Sequence, residues 1–288
     1  PHSAACLNLA EDHVDFFGSF EDYRNAKARV YERTQVSCVY NAQDEATIRM
    51  VEQAEVVEGC RAIGFTLGIP DRSEVGVVDN LLADRAFLQE RASHALELAT
   101  TGDVQPPVPH QIANALAAAA LARSFGIDPR HVRDGLRRFE PAAHRIAEVG
   151  RVDEVLYIDD SKATNAHAAD MSLRAYESVV WIAGGLAKGQ TFDDLVISHA
   201  GRLRAVVLLG ADRDRIREAL RRHAPDVPVE EVGATDTGAM QEVVRRAAGL
   251  ARPGDTVLLA PGCASWDMFS DYAQRGRAFA AAVAGMES

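Results

Sequence analysis

From residue 155 to residue 283 short apolar runs alternate with segments of helical character, and this alternation restricts the fold more than any other feature. Strands are expected at 155–158, 179–183, 205–209, 227–232 and 256–260. Helices fall between them, most clearly at 216–222 and 237–250, and a last helix covers 270–283. Apolar strands joined through helices run parallel and are covered on both faces, because each crossover lays a helix over the sheet. The expected class is α/β, and this half makes a complete Rossmann-like domain by itself. Sheets of this kind bind ligands outside the carboxyl ends of their strands, so the residues just after each strand carry the most information.

The first half is less regular. Strands are expected at 5–9, 36–41 and 61–66, weaker ones at 75–79, 86–89 and 96–98, and helices at 20–33 and 45–53. Residues 11–17 read as a polar and aromatic loop. After the stiff Pro106-Pro107-Val108-Pro109 break, an Ala-rich helix covers 110–125 and stops at Gly126. Asp128-Pro129 then supplies a cap and a first-turn proline for a helix ending near Phe139. Glu140-Pro141-Ala142-Ala143 reads as a linker, giving two domains, 1–141 and 142–288. The chain opens without Met on a strand in progress, so it is expected to begin in the middle of a domain.

Composition narrows the function. Net charge is −11 and the sequence pI about 5.3, which argues against a general affinity for nucleic acid or anionic membranes. Cys6, Cys38, Cys60 and Cys263 lie far apart with no C-x-x-C spacing. A zinc site or disulfide framework is therefore not expected, and a reducing cytoplasm is. No run is long and apolar enough to span a membrane.

Three post-strand segments carry candidate chemistry. The strand at 155–158 leads into Asp159-Asp160-Ser161-Lys162-Ala163-Thr164-Asn165, ahead of a helix over 166–176. Ser161 or Thr164 could cap that helix and the acids could favour its first turn; a ligand site is the other reading. The next strand ends in Gly184-Gly185-Leu186-Ala187-Lys188-Gly189, where paired glycines permit a sharp turn. It is not a P-loop, since G-x-x-x-x-G-K-[ST] is not met. The strand at 256–260 leads into Pro261-Gly262-Cys263-Ala264-Ser265-Trp266-Asp267-Met268-Phe269, where the Ser265 hydroxyl and nearby amides could take a carboxylate. Cys263 has no matched base and is a poor nucleophile candidate.

The first half adds Glu11-Asp12-His13-Val14-Asp15, which is either a solvated acidic loop or a site for a hard cation. Tyr23-Arg24-Asn25-Ala26-Lys27 follows, then Asn114 in the Ala-rich helix and His144-Arg145 past the linker.

Read together and in this order, these segments resemble the Mur ligase family of ATP-dependent amino-acid ligases. The resemblance covers nearly the whole chain, and D-S-K-A-T-N points to the D-glutamate-adding branch. It implies a partial central ATPase domain followed by the Rossmann-like carboxy-terminal domain. His13 would contribute to a magnesium site, and Lys27, carboxylated to a carbamate, would be both a catalytic residue and a metal ligand. Asn114, Arg145 and Asp160 would contact ATP, and Lys162 would face the reacting phosphoryl group. Thr164, Lys188, Ser265 and Tyr272 would bind substrate, with Tyr272 where a Phe is usual. The implied substrates are UDP-N-acetylmuramoyl-L-alanine and D-glutamate, with ATP and two magnesium ions, in a cytoplasmic monomer serving peptidoglycan synthesis and so cell shape and division. The family's G-K-[ST] phosphate loop and amino-terminal domain are not found, so this chain by itself is expected to be inactive. Two alternatives stay open: another Mur-type or folylpolyglutamate-type ligase, and a non-catalytic module.

Overall fold

The computed structural model describes residues 1–10, 14–234 and 236–286, with the backbone alone for 14 and 15. The chain divides into two compact units, Pro1–Glu140 and Pro141–Ser288.

The first unit runs β1 (Ser3–Cys6), α1 (Val14–Phe17), α2 (Phe20–Ala28), β2 (Ser37–Asn41), α3 (Glu45–Glu52), β3 (Arg61–Phe65), β4 (Glu74–Val78), β5 (Leu81–Asp84), β6 (Leu96–Thr100), α4 (Pro109–Ser124) and α5 (Pro129–Arg138). Its six strands lie in sequence order. β1 to β4 are parallel, and β4, β5 and β6 form an antiparallel meander. Successive strand residues point to opposite faces, and β2 uses both. Val39 joins the cluster of Ile63, Phe65, Leu82 and Leu98 under the small buried side of α4, which includes Ala115, Leu116 and Ala119. Cys38 joins Tyr31 and Met50 on the other face.

Several boundaries differ from expectation. β1 ends at Cys6 rather than Leu9, because the main chain beyond it is held by side chains: Leu9 N–H donates to Asp44 Oδ2 at 2.9 Å and Asn41 Nδ2 to the Leu7 carbonyl at 3.2 Å. Residues 14–17 form a helical turn, not loop. The helix from Phe20 stops at Ala28 and tightens into a 3₁₀ turn over Arg29–Tyr31, which brings the Tyr31 hydroxyl to donate to the Val39 carbonyl at 2.7 Å. The strand expected at 86–89 is absent, and β5 lies just before it. Asp84 Oδ1 accepts from Ala86 and Phe87 N–H, and this side-chain-made turn ends the strand.

The second unit runs β7 (Ala147–Val152), β8 (Val155–Asp159), α6 (Ala166–Leu173), β9 (Val179–Gly184), α7 (Asp193–His199), β10 (Leu203–Leu209), α8 (Arg213–His223), β11 (Val229–Glu231), α9 (Ala239–Leu250), β12 (Thr256–Leu259) and α10 (Tyr272–Ala284). The strand order is β11-β10-β9-β12-β8-β7. The α/β class is as expected, with one correction. β7 is an added edge strand antiparallel to β8, joined through Asp153 (φ 48°) and Glu154 (φ 62°), so five strands are parallel and one is not. On one face Val180, Ile182, Val207 and Leu259 pack on Val243, Ala247, Phe279 and Val283 of α9 and α10. The alternate residues Trp181, Ala183, Val206 and Leu208 are as fully buried, so the sheet is covered on both sides. Each such large aliphatic side chain contributes about 1.5–3 kcal/mol.

Candidate active site

In the second unit the carboxyl ends of the parallel strands are level: Leu259 pairs with Asp159 and with Ile182, and Leu209 pairs with Gly184. The loops that follow are joined by main-chain bonds. Leu186 and Ala264 form an isolated antiparallel bridge, with Leu186 N–H donating to Ala264 at 2.9 Å and Ala264 N–H to Leu186 at 3.0 Å. Gly184 N–H donates to the Pro261 carbonyl and Gly262 N–H to that of Ala163, both at 2.9 Å. The Trp181 indole donates to the Ala260 carbonyl at 2.7 Å, fixing the chain where β12 ends. Glycines are obligatory here: a Cβ on Gly185 (φ +132°) would lie 2.2 Å from the Ala264 carbonyl oxygen.

Side chains complete the frame. Asp212 Oδ2 accepts from Ala187 N–H at 2.8 Å, and Asp267 Oδ2 from Ala211 N–H at 2.8 Å. Ser161 is fully buried, and its hydroxyl donates to the Tyr272 carbonyl at 2.7 Å. Arg275, 1% exposed, donates from Nε to Ser161 Oγ, from Nη2 to the Ser161 carbonyl and from Nη1 to the Cys263 carbonyl, at 2.9, 2.9 and 3.1 Å. It thereby fastens the loop after β8 to the loop after β12. Burial lowers its pKa to about 10, still a cation at neutral pH. His144 Nδ1 lies 2.6 Å from Asp159 Oδ2 at a spot that only Gly276 leaves open, since a Cβ there would sit 2.2 Å from Nδ1.

The expected site residues fall into three groups. Lys162, Thr164, Lys188, Ser265 and Tyr272 all lie on these carboxyl-end loops or, for Tyr272, at the start of α10. Lys162 Nζ stands 4.1 Å from the Tyr272 ring centroid, and Lys188 Nζ stands 4.3 Å from that of Trp266. Ser265 is buried at 3% and its carbonyl accepts from Met268 and Phe269 N–H. The helix cap is neither Ser161 nor Thr164: Asn165 Oδ1 accepts from Ala168 N–H at 2.8 Å. The second group is differently placed. Asp160 is 7% exposed, and its carboxylate accepts from the Ser172 hydroxyl, so it points into the protein rather than outward to a nucleotide. Arg145 is exposed. The third group lies in the first unit. His13, with Glu11 and Asp12, is outside the described residues. Lys27 is exposed on α2, 5.4 Å from the Tyr23 centroid. Asn114 is on the exposed side of α4 and donates to Gln111 Oε1 at 3.4 Å. Among the described residues no three His, Cys, Asp or Glu side chains gather to hold a metal.

Burial also decides two reactivities. Cys263 is fully buried and its thiol is pushed up to about 12, which removes it as a nucleophile. Burial raises Asp160 from 3.8 to about 6, against the lowering effect of the Ser172 hydrogen bond. The folded chain then holds a proton that the unfolded chain releases. The stabilisation is fully present below pH 3.8 and is lost as pH rises through about 6. Two pKa units are worth about 3 kcal/mol. Between pH 4 and 7 the wild type should lose about that much stability relative to Asp160→Asn in urea unfolding; parallel pH profiles for the two proteins would refute it.

Residues 1–122 match the Mur ligase middle domain, and residues 144–263 match the family described as Mur ligase, glutamate ligase domain. The UDP-N-acetylmuramoylalanine–D-glutamate ligase of Streptomyces coelicolor is 64% identical over 98% of this chain and 60% of its own length. The enzyme of that name from Thermobifida fusca is 56% identical over 98% and 60%. The chain thus spans about 60% of the length of these curated relatives. Among solved structures, MurF from Acinetobacter baumannii has a TM-score of 0.63 at 19% identity, covering 91% of this chain and 57% of that one. The UDP-N-acetylmuramate–alanine ligase of Thermotoga maritima also has a TM-score of 0.63, at 18% identity, covering 99% and 60%. These two share the fold. No helix among the described residues is long and apolar enough to cross a membrane.

Proposed function

The chain belongs to the Mur ligase family, and from that premise we propose that the protein carrying it joins D-glutamate to UDP-N-acetylmuramoyl-L-alanine at the expense of ATP, in the cytoplasmic synthesis of peptidoglycan on which cell shape and division depend. The observation that carries this reading is the carboxyl edge of the second sheet, where Lys162, Thr164, Lys188 and Ser265 lie on loops tied to one another by main-chain bonds. Lys188 with two hydroxyls on adjoining loops suits an amino acid that bears carboxylates, and Lys162 beside them suits a phosphoryl group. The high identity to relatives named for D-glutamate supports the same substrate.

The reaction makes an amide from a carboxylate whose oxygen is a poor leaving group. Phosphoryl transfer from ATP converts the terminal carboxylate of the nucleotide substrate to an acyl phosphate. The free amine of D-glutamate attacks its carbonyl carbon, the C–N bond forms, the C–O bond to phosphate breaks, and the amine loses a proton. Lys188, Ser265, Thr164 and Tyr272 orient D-glutamate, and Lys162 offsets charge on the transferred phosphoryl group. Within the first unit Asn114 meets the adenine side of ATP. Within the second, Arg145 offers its planar fork to phosphate or ribose, and Asp160 supports that loop from inside. Lys27 and His13 are the proposed magnesium-site residues, and no step is routed through the metal.

The test is phosphate release by the full-length protein with ATP, magnesium and UDP-N-acetylmuramoyl-L-alanine, comparing D-glutamate with L-glutamate, L-lysine and diaminopimelate. Release should require D-glutamate, and Lys188→Ala should reduce kcat/KM for it at least 100-fold, in line with the roughly 3 kcal/mol of a charge-paired contact. Release with a different amino acid would move the protein to a sister ligase; none with any would leave it non-catalytic.

A further inference from the structure

We propose that Trp266 is a positioning residue that sets amino-acid affinity by holding the Lys188 ammonium in place, an inference that rests on the D-glutamate reading above. Trp266 is 65% exposed although it is one of the largest apolar side chains in the unit. It gains little from burial at that position, so its presence calls for another account. Its ring lies 4.3 Å from Lys188 Nζ, and Trp is the best of the aromatic faces for a cation.

The geometry that brings the two together is made elsewhere. Lys188 and Trp266 each follow by two residues a partner of the Leu186–Ala264 bridge, so main-chain bonds bring their two loops side by side. Lys188 sits in the left-handed region at φ 49°, just after Ala187, which is fully buried and bonded through its N–H to Asp212. The backbone is thus fixed up to the Lys, while its side chain is an exposed four-carbon stem with much rotamer freedom. A ring beneath the ammonium confines that stem before any ligand arrives, which reduces the ordering cost of binding. Trp266 also directly follows Ser265, so the hydroxyl and the platform for the cation sit on consecutive residues. A carboxylate reaching Lys188 would meet a cation already in place.

A double-mutant cycle on the full-length protein tests this. Trp266→Ala should raise KM for D-glutamate about three- to tenfold, with kcat at saturating D-glutamate and KM for ATP each within twofold. Trp266→Phe, a weaker platform, should raise it less than threefold. In the Lys188→Ala background, Trp266→Ala should add nothing, because the platform then has no cation to hold. An unchanged KM in Trp266→Ala, or an effect that multiplies with that of Lys188→Ala, would overturn the proposal. If the wild type responds to another amino acid and not to D-glutamate, the substrate reading fails, and the same cycle run with that amino acid decides the platform. A readout free of turnover is the emission of Trp266, taken as wild type minus Trp266→Phe. Lys188→Met should change it, and an unaltered difference spectrum would also overturn the contact.

Discussion

Arg275→Ala is expected to destabilise the second unit by about 3–5 kcal/mol, read as a shift in urea or thermal unfolding. Two main-chain carbonyls, at Ser161 and Cys263, lose their donor, and each buried orphan costs about 1–3 kcal/mol. Deleting a long, fully buried side chain also leaves a cavity, which costs about 2–5 kcal/mol for aliphatic residues of similar length. Relief of a buried charge works the other way. Burial lowers the Arg275 pKa from 12.5 to about 10, and at 1.36 kcal/mol per unit that relief is about 3 kcal/mol. Arg275→Met separates the effects, since it refills much of the cavity and restores no hydrogen bond. It should lie between wild type and Ala. A loss under about 1 kcal/mol in Arg275→Ala would mean that the two loops hold together without the clamp.

Gly184→Ala should be at least as severe, above about 4 kcal/mol, with little soluble protein as the practical sign. The added Cβ would stand 1.9 Å from the Leu209 carbonyl oxygen, at a residue with φ +122°. Neither group can retreat. Gly184 and Leu209 are the last paired residues of β9 and β10, and moving either opens the sheet where the loops begin. Gly249→Ala is the control: this glycine lies inside α9 with nothing near its missing Cβ, so Ala should stabilise by about 0.5–1 kcal/mol. If Gly184→Ala unfolds at the wild-type midpoint, the crowding at the end of β9 is not real.

What the sequence revealed followed burial. β8, β9, β10 and β12 are buried on both faces, so they read as unbroken apolar runs, and their ends located the loops at the carboxyl edge within a residue or two. β7 has no such signature. Ala-Glu-Val-Gly-Arg-Val is half exposed and broken by a glycine, and its hairpin turns on Asp153-Glu154, both at positive φ, without the Asn-Gly or Asp-Gly that usually marks such a turn. β5 was masked by Asp84, a fully buried acid that pairs with Arg123 at 3.0 Å; an acid in a short run argues against a buried strand until its partner is known. No motif marks Arg275. The signal was its spacing: Arg275, Phe279 and Val283 follow at i, i+4 and i+8, all buried, so the arginine occupies the apolar stripe of α10. Asp160 and Ser161 show the limit of motif reading. Their neighbours are site-like, yet both side chains turn inward to Ser172 and Tyr272, and adjacent letters do not say which way each faces.

The Leu186–Ala264 bridge has a consequence for how such a protein diverges. Its two hydrogen bonds, and those of Gly184 with Pro261 and Gly262 with Ala163, are made by groups that every residue but proline carries in full. Apart from Gly184 and Gly185, which admit no Cβ, and the Asp212 and Asp267 carboxylates that hold loop N–H groups, the path of the loops is therefore indifferent to the side chains they present. Under the proposed function, holding and choosing are separate jobs at this edge: the main chain holds, and Lys188 and Ser265 are the side chains proposed to choose. On that reading, exchange of those side chains would change what the edge binds and leave the frame unaltered. Two solved structures at 18–19% identity share the fold.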